Sequence, residues 1–226
     1  MKPVVEKPIF ETAATLPRGP HRLSREQVAS SQRTRLMAAL TELLAEGGYS
    51  AVTIGELARR AGVSRAAFYE HFTGKEACLL AAYEQFATTL IDAMTGEVDE
   101  ETAWSAFIDA TLAGYLGTLE RDPVGARAFI VELDAAGPAA RRRRREAVHG
   151  FAALIAHHHA AIRAREPSLA PLPERVFLGL ALGVRGLVRE ALEDDPAPQL
   201  GLLAPDIVVW ITAMIEGAEA AQRGRS

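Results

Sequence analysis

The residues best suited to chemistry lie in the run from Thr53 to Glu76, TIGELARRAGVSRAAFYEHFTGKE. Phe68 and Phe72 stand four residues apart, so in a helix they share one face and can pack inward. The opposite face then presents a guanidinium, a methyl group, a phenol and a carboxylate, from Arg65, Ala66, Tyr69 and Glu70. Such a face can enter a DNA groove, where these groups contact phosphates and base edges.

Two short helices joined by a tight turn are predicted to position this face. The segment IGELARRA keeps its apolar residues on one helical side, which indicates a helix with one buried face. Thr53 and Glu56 form a capping-box pattern at its start. Gly62 provides the backbone freedom needed at the helix end, and Ser64 can cap the next helix.

A further helix is predicted to start near Lys75. Thr73 and Glu76 repeat the capping-box pattern, and Lys75 falls in the first turn. A cation at that end opposes the helix dipole, so we expect Lys75 to serve another purpose, namely contact with a phosphate.

The run GGYSAVTIGELARRAGVSRAAFYEHFTGKEACL resembles the DNA-binding domain of the TetR family of bacterial transcriptional regulators. The resemblance covers about residues 24 to 95. The matching positions are Gly48, Tyr49, Thr53, Ile54, Ala58, Ala61, Gly62, Val63, Ser64, Tyr69, Phe72, Lys75, Glu76 and Leu79. Ala66 and Ala67 depart from the family, which often has glycine and a hydroxyl residue there, so few side chains remain to read bases directly.

The resemblance implies a dimeric repressor that binds a palindromic operator and is released by a small-molecule effector. It implies an all-α chain with a three-helix helix-turn-helix domain followed by a helical ligand-binding and dimerisation domain. The corresponding ranges are a basic arm at 1–23, the DNA-binding domain at 24–75 and the second domain at 76–226. Carried over, the phosphate contacts are Thr53, Arg65, Tyr69, His71 and Lys75, and Arg65, Ala66 and Glu70 face bases. Ser64 is also expected among the DNA-binding residues.

Composition and charge agree with this assignment. Of 226 residues, 49% are apolar and 24% charged, and sustained period-two alternation is missing, so all-α is the expected class. The region from Arg18 to Glu76 carries nine basic and six acidic residues, a net +3, although the whole chain is −4. A basic end that approaches phosphates and an acidic body account for this distribution.

The chain is expected to be cytoplasmic, with no membrane partner. Its single cysteine, Cys78, suits a reducing compartment and is expected to be a small core residue. The first residues lack the pattern of a signal peptide, and the longest apolar run, VFLGLALGV, is too short to span a membrane.

The N-terminal end leaves two interpretations open. Residues 1–23 contain several prolines and glycines and no helical period, so they form either a tail or a basic arm. In the second case Arg18, His21 and Arg22 enter the minor groove. Similarly, Arg33 and its neighbour Gln32 on the first helix either reach phosphates or form a solvated face.

Punctuation by proline and glycine predicts about nine helices in all. The first runs from a Ser24 and Gln27 capping box to Gly47 and Gly48, and the fourth ends at Gly96. The later segments are 100–121, 122–137, 138–165, 173–192 and 205–222.

The last two helices are predicted to form a homodimer interface. VFLGLALGVRGLV is apolar nearly all round, with glycines that allow close approach of another backbone. The expected interface residues are Leu178, Leu182, Arg185, Ile207, Trp210, Ile211 and Met214. The alternative is that this surface is only an intramolecular core.

An apolar effector pocket is expected in the second domain. Its candidate lining is mainly aromatic: Tyr83, Phe86, Trp104, Phe107, Tyr115, Phe129, His149 and Phe151. The alternative is that most of these residues are core.

Other clusters do not indicate chemistry. The five arginines of 141–145 point all around a helix axis, which favours a solvated helix start over a second anion site. Consecutive histidines 157–159 lack the spacing of helical metal ligands. We find no pattern of a nucleophile with a base and no phosphate loop, so neither an enzyme nor a cofactor is expected. The rival hypothesis is a helical dimer that binds a small molecule or a protein and has lost specific DNA binding.

Overall fold

A computed structural model describes residues 9–10, 24–96, 98–99, 102–165 and 169–223. Within these ranges the chain is helical and contains no strand, which confirms the predicted all-α class. The nine α-helices are α1 (Arg25–Ala51), α2 (Ile54–Ala61), α3 (Arg65–His71), α4 (Lys75–Thr95), α5 (Trp104–Arg121), α6 (Pro123–Ala126), α7 (Pro138–Arg165), α8 (Glu174–Asp194) and α9 (Ala204–Arg223).

Short non-α turns complete the path. A π-helical turn (Arg127–Glu132) and a 3-10 turn (Leu133–Ala136) follow α6, where the sequence predicts one continuous helix. A second 3-10 turn (Leu200–Leu203) precedes α9. The capping box at Ser24 forms as predicted, since Ser24 and Gln27 each donate a backbone N–H to the other's side chain.

The chain forms two compact units. Unit 1 comprises Met1–Thr88 and Arg121–Arg141, and unit 2 comprises Thr89–Glu120 and Arg142–Ser226. Helices α4 and α7 each contribute to both units. Unit 1 is thus larger than the predicted range 24–75, because it also includes the start of α4 and the segment around α6.

The core of unit 1 is built on α1. Leu36, Leu40 and Leu44 lie on one face of α1 and are completely buried, together with Leu57 of α2 and Phe68 of α3. Four-residue spacing puts the three α1 leucines on one side, and that side covers the helix-turn-helix.

The core of unit 2 brings α5, α7, α8 and α9 together around buried aliphatic and aromatic side chains. Ile207 and Ile211, predicted for a dimer interface, are instead 1% and 4% exposed inside this core. Their positions on α9 share one face, and that face packs on Phe107 and Phe177 within the same chain. These two assignments to the interface were therefore wrong.

A close helix crossing in unit 2 depends on Gly183. A Cβ at Gly183 would overlap the ring of Trp210, so only glycine lets the indole lie against the α8 backbone. The close neighbour of Gly183 is thus a side chain of the same chain and not the second backbone that the sequence predicted, and added methyl groups at Gly179 and Gly186 would meet open space.

In the described part of the chain, one helical stretch, Leu200–Ala221, is long and apolar enough to cross a membrane by length and composition alone. Its inner side belongs to the unit 2 core through Ile207, Ile211 and Ile215. Its outer side leaves Leu202 and Val209 about 70% exposed, at 73% and 70%.

Candidate nucleic-acid interface

Helices α2 and α3 are joined by a turn that depends on Gly62. Gly62 has φ +65° and ψ 38°, the left-handed conformation that glycine adopts without strain. The Val63 N–H donates to the Ala58 carbonyl at 3.0 Å and the Gly62 N–H to the Arg59 carbonyl at 3.2 Å. These bonds form the Schellman arrangement that ends α2 as the sequence predicts.

Both helices start with the hydroxyl caps expected from the sequence. The Thr53 hydroxyl accepts from the Glu56 N–H at 3.2 Å, and the Ser64 hydroxyl accepts from the Ala67 N–H at 3.0 Å. The reciprocal half of the first capping box is absent, because the Glu56 carboxylate binds Arg59 instead. That contact, more than any other, holds the pKa of Glu56 below its usual value.

Burial of one side of α3 determines which of its residues face solvent. Phe68 and Phe72 are buried with ring centroids 5.9 Å apart. Tyr69 is 55% exposed and rests edge-on against Phe68 at 5.4 Å. The remaining outward residues, Arg65, Ala66 and Glu70, are exposed as predicted.

Arg65 makes no ion pair with any described residue, so its guanidinium is available to an outside partner. The two arginines of α2, in contrast, form ion pairs. Arg60 binds Glu46 at 2.6 Å and lies 3.6 Å from Glu42, which ties α2 to α1. The hydrogen bond from Arg60 also lowers the pKa of the exposed Glu46 carboxyl.

Lys75 occupies the C-terminal end of α1. Its Nζ donates to the carbonyls of Tyr49 at 3.0 Å and Val52 at 2.9 Å, and it lies 4.2 Å from the Tyr49 ring centroid. A cation is favourable at the negative end of a helix dipole. Lys75 thus stabilises the end of α1, a role that the sequence did not indicate, and its contact with phosphate through the third N–H stays a prediction.

The predicted capping box around Lys75 does not form. Helix α4 begins at Lys75, and the Cys78 N–H donates to the Gly74 carbonyl at 3.2 Å. Gly74 therefore takes the capping position that the sequence assigned to Thr73.

Two arginines of α1 likewise bind the C-terminal carbonyls of α3 and α2. Arg33 donates to the His71 carbonyl at 3.3 Å and lies 4.4 Å from the Phe72 ring centroid. Arg35 donates to the Ala61 carbonyl at 2.9 Å. Gln32 and the His71 ring are joined at 3.1 Å. Arg33, Gln32 and His71 thus hold α3 on α1, and phosphate contact by Arg33 and His71 stays a prediction. The sequence did not indicate the role of Arg35.

Cys78 is a core residue, as expected. It is fully buried, and its Sγ donates to the Leu36 carbonyl at 3.7 Å. Burial raises the pKa of the Cys78 thiol to about 12, which keeps it protonated and unreactive at neutral pH.

The residues predicted for an effector pocket divide between the two units. Tyr83, Phe86 and Phe129 pack together in unit 1, with Phe86 and Phe129 centroids 4.8 Å apart. The unit 2 members are Trp104, Phe107, Tyr115, His149 and Phe151. His149 is exposed on α7, so it does not line the interior of its unit.

A group of rings in unit 2 includes two histidines. His158 stacks on Phe107 with centroids 4.0 Å apart, and its Nε2 lies 3.0 Å from the Thr102 carbonyl. His159 packs edge-on against Trp104 at 5.4 Å, and its buried Nε2 has no hydrogen-bond partner among the described residues. Burial is the main cause that lowers the pKa of both imidazoles.

Of the remaining residues predicted for the dimer interface, Leu182 is 45% exposed and Trp210 36% exposed. Leu178, Arg185 and Met214 are partly buried. Leu187 on α8 and Val209 on α9, which the prediction omitted, are 46% and 70% exposed. The arginines at the start of α7 bind nearby groups; Arg141, for example, donates to the Asp134 carbonyl at 2.9 Å. Arg18 and Arg22, which were predicted to bind DNA, lie outside the described residues.

Residues 36–82 match the family model described as bacterial regulatory proteins, tetR family. The chain is 28% identical to the HTH-type transcriptional activator FasR of Mycolicibacterium smegmatis over 118 residues, which cover 52% of this chain and 53% of that one. It is 43% identical to the Transposon Tn10 TetC protein of Escherichia coli over 65 residues, or 28% and 32% of the two chains. The matched segments thus span about half or less of these relatives.

Solved structures share the fold. The fatty acid degradation regulator FadR from Bacillus halodurans superposes with a TM-score of 0.73 at 18% identity, covering 80% of this chain and 94% of that chain. The transcriptional regulator FadR from Bacillus subtilis, solved in complex with stearoyl-CoA, has a TM-score of 0.70 at 18% identity, with coverage of 81% and 97%. At these identities the likeness concerns the fold.

Proposed function

We propose that the chain is a transcriptional regulator of the TetR family of bacterial regulatory proteins, whose model its residues 36–82 match, and that it binds a palindromic operator as a homodimer. The observation that carries this proposal is the outward face of α3. Arg65, Tyr69 and Glu70 are exposed there, while Phe68 anchors the opposite face in the core. A short exposed helix held rigidly by its neighbours is the element that helix-turn-helix proteins place in the major groove.

The side chains on this face have the chemistry of base and phosphate recognition. The Arg65 guanidinium matches the two acceptors of guanine, and the Glu70 carboxylate can accept from the cytosine amino group. The Thr53 and Ser64 hydroxyls use their oxygens as helix caps, which leaves each O–H able to donate to a phosphate. Few groups read bases directly, so DNA shape contributes to specificity.

We propose that two chains associate through α8 and α9 of unit 2. Four large apolar side chains are exposed there, Leu182, Leu187, Val209 and Trp210. An exposed apolar face on a long helix needs a covering surface in water. Self-association gives two α3 helices, and an operator with half-sites about 34–36 Å apart accommodates them in successive major grooves.

The effector is proposed to be an apolar small molecule that binds in the second domain. Support comes from the apolar helices of unit 2 and from the stearoyl-CoA complex of a protein with the same fold. Acyl-CoA compounds are therefore the first ligands to test. An effector releases DNA only if it favours a dimer geometry that the operator rejects.

The proposed output is repression by occupation of the operator, in the cytoplasm. The relative from Mycolicibacterium smegmatis is named an activator, so the sign of regulation is an experimental question. A transcription assay with and without the protein determines it directly.

Selection of bound duplexes from random DNA tests the proposal against the rival helical dimer without DNA affinity. We expect enrichment of a palindrome, and loss of its binding in Arg65→Ala and Tyr69→Ala. Arg145→Ala is the matched control, because it removes the same charge from an exposed site on α7, outside both α3 and the proposed dimer interface. If no sequence is enriched, or if the α3 variants bind as well as the control, DNA recognition by α3 is contradicted.

A further inference from the structure

A dipeptide from the N-terminal end of the chain is docked on unit 1. Phe10 is only 6% exposed, and its ring contacts Phe129, which is more than one hundred residues away in sequence. Its ring centroid lies 6.4 Å from that of Phe129. This contact was not expected, since residues 1–23 are predicted to form a tail or a DNA-binding arm.

Both backbone polar groups of Ile9 are bound by side chains of the unit. The Ile9 N–H donates to Asp122 Oδ2 at 3.1 Å, and Gln85 Nε2 donates to the Ile9 carbonyl at 3.3 Å. Recognition of an extended peptide normally combines main-chain hydrogen bonds with a pocket for a side chain. The same combination occurs here, except that the side chains of Asp122 and Gln85, and not the backbone of a strand, bind the main chain of the peptide.

The polar half of this site is built into the fold. Asp122 is 7% exposed, and its second oxygen, Oδ1, accepts from the Gly125 N–H at 2.8 Å as the cap of α6. A Cβ at Gly125 would lie 2.7 Å from Asp122 Oδ2, so glycine is required for the carboxylate to take this position. The carboxylate is therefore held in place whether or not Ile9 is bound.

The apolar half is a cluster of aromatic rings. Phe129 lies 4.8 Å from Phe86 and 5.8 Å from Tyr83, measured between centroids. Such tilted pairs add attraction beyond their buried area. The chain's own Phe10 joins these three residues, which the sequence had suggested for an effector pocket.

We propose that unit 1 carries a peptide-binding site and that the chain's own Ile9–Phe10 segment is its intramolecular ligand. The site selects a residue with a free N–H followed by an aromatic side chain.

A peptide-binding measurement on the full chain tests the site without reference to DNA. The probe is a fluorescein-labelled peptide of residues 5–15, VEKPIFETAAT. Phe10→Ala, with its slot empty, should bind the probe saturably. Wild type should bind roughly 10-fold or more weakly, because a tethered ligand competes at an effective concentration on the order of millimolar.

Two control peptides define the specificity of binding. One replaces phenylalanine with alanine at the position of Phe10, and the other is N-methylated at the position of Ile9. Both should bind Phe10→Ala more weakly than the probe does. Equal binding of all three peptides, or no saturable binding at about 1 mM probe, would overturn the proposal.

Hydrogen exchange at the Ile9 amide keeps the proposal testable if Phe10→Ala does not fold. In wild type this amide should be protected, and Gln85→Ala should speed its exchange by loosening the docked segment. Val124→Ala, which trims an exposed side chain on α6, should not change the rate. Exchange of the Ile9 amide at the unprotected rate in wild type contradicts docking.

Discussion

The Lys75 ammonium donates to the Tyr49 carbonyl at 3.0 Å and lies 4.2 Å from the centroid of the same residue's ring. One cation thus both caps the end of α1 and stacks on its last aromatic side chain. Arg33 and Arg35 bind the last carbonyls of α3 and α2 in the same way. Three cations of unit 1 therefore fix the relative positions of its helices.

Lys75→Ala should destabilise the protein in the absence of DNA. The change removes two hydrogen bonds from a charged donor and a cation–π contact, and the expected cost is about 1–3 kcal/mol. Urea unfolding of Lys75→Ala and of Arg65→Ala gives the comparison, because Arg65 has no ion pair among the described residues. Equal stability of the two variants would contradict the structural role of Lys75.

Local patterns predicted most of the helix-turn-helix. The Ser24, Thr53 and Ser64 caps and the left-handed Gly62 depend on neighbouring residues, so spacing alone identifies them. The roles of Arg33 and Lys75 depend on which helix end approaches them in space. An exposed cation on a helix has the same local pattern whether it binds phosphate or a carbonyl, so the carbonyl contacts of Arg33 and Lys75 could not be predicted.

The same distinction explains the outcome in unit 2. The spacing of Ile207, Ile211 and Ile215 correctly indicated an apolar face of α9. Spacing does not tell whether such a face meets its own chain or a second copy. In the structure it meets the chain's own core, and the exposed side belongs to Val209 and Trp210.

Gly62→Ala should weaken the turn between α2 and α3. A residue with a side chain pays about 1–2 kcal/mol to adopt this left-handed conformation. Gly55→Ala is the matched control, because Gly55 lies in the first turn of α2 with open space around it, and alanine there should stabilise by about 0.5–1 kcal/mol. Thermal unfolding of both variants measures the difference, and a neutral or stabilising Gly62→Ala would exclude the required turn.

The free energy of unfolding should fall as pH is lowered from about 7 to 5, because His158 and His159 are buried in their neutral form. Burial depresses the folded-state pKa of both imidazoles, so the unfolded chain binds more protons in this window. Their stabilising contribution is present above the unfolded pKa and lost as pH falls through the folded one. Arg163 and Arg165 on α7 add to the depression, and Asp99 opposes it.

Replacement of His159, whose Nε2 has no hydrogen-bond partner among the described residues, isolates this effect on stability. His159→Phe keeps a ring against Trp104 and removes the titrating group, so urea unfolding between pH 7 and 5 should show a weaker pH dependence. His149→Phe serves as the control on the exposed side of α7 and should leave the slope unchanged. If His159→Phe leaves the pH dependence of the free energy of unfolding unchanged, the buried His159 imidazole does not cause that dependence.

Val209→Glu should separate the proposed homodimer without unfolding the chain. Val209 is 70% exposed, so glutamate there costs little in the single chain but brings two charges into the shared interface. Sedimentation should give a dimer for wild type and a monomer, or a dimer at least roughly 10-fold weaker, for the variant. Leu202→Glu, at a 73% exposed site preceding α9, is a control for the added charge. A dimer of unchanged strength in Val209→Glu would place the interface elsewhere.

The central claim is tested most directly by an electrophoretic shift of the DNA upstream of the protein's own gene, measured at two salt concentrations. The account predicts a shift that resists unrelated competitor DNA and weakens steeply as salt rises, since phosphate contacts release counterions. Arg65→Ala should reduce both the affinity and the salt dependence. A folded wild-type dimer that binds neither this DNA nor any selected duplex at low salt would contradict the proposed function.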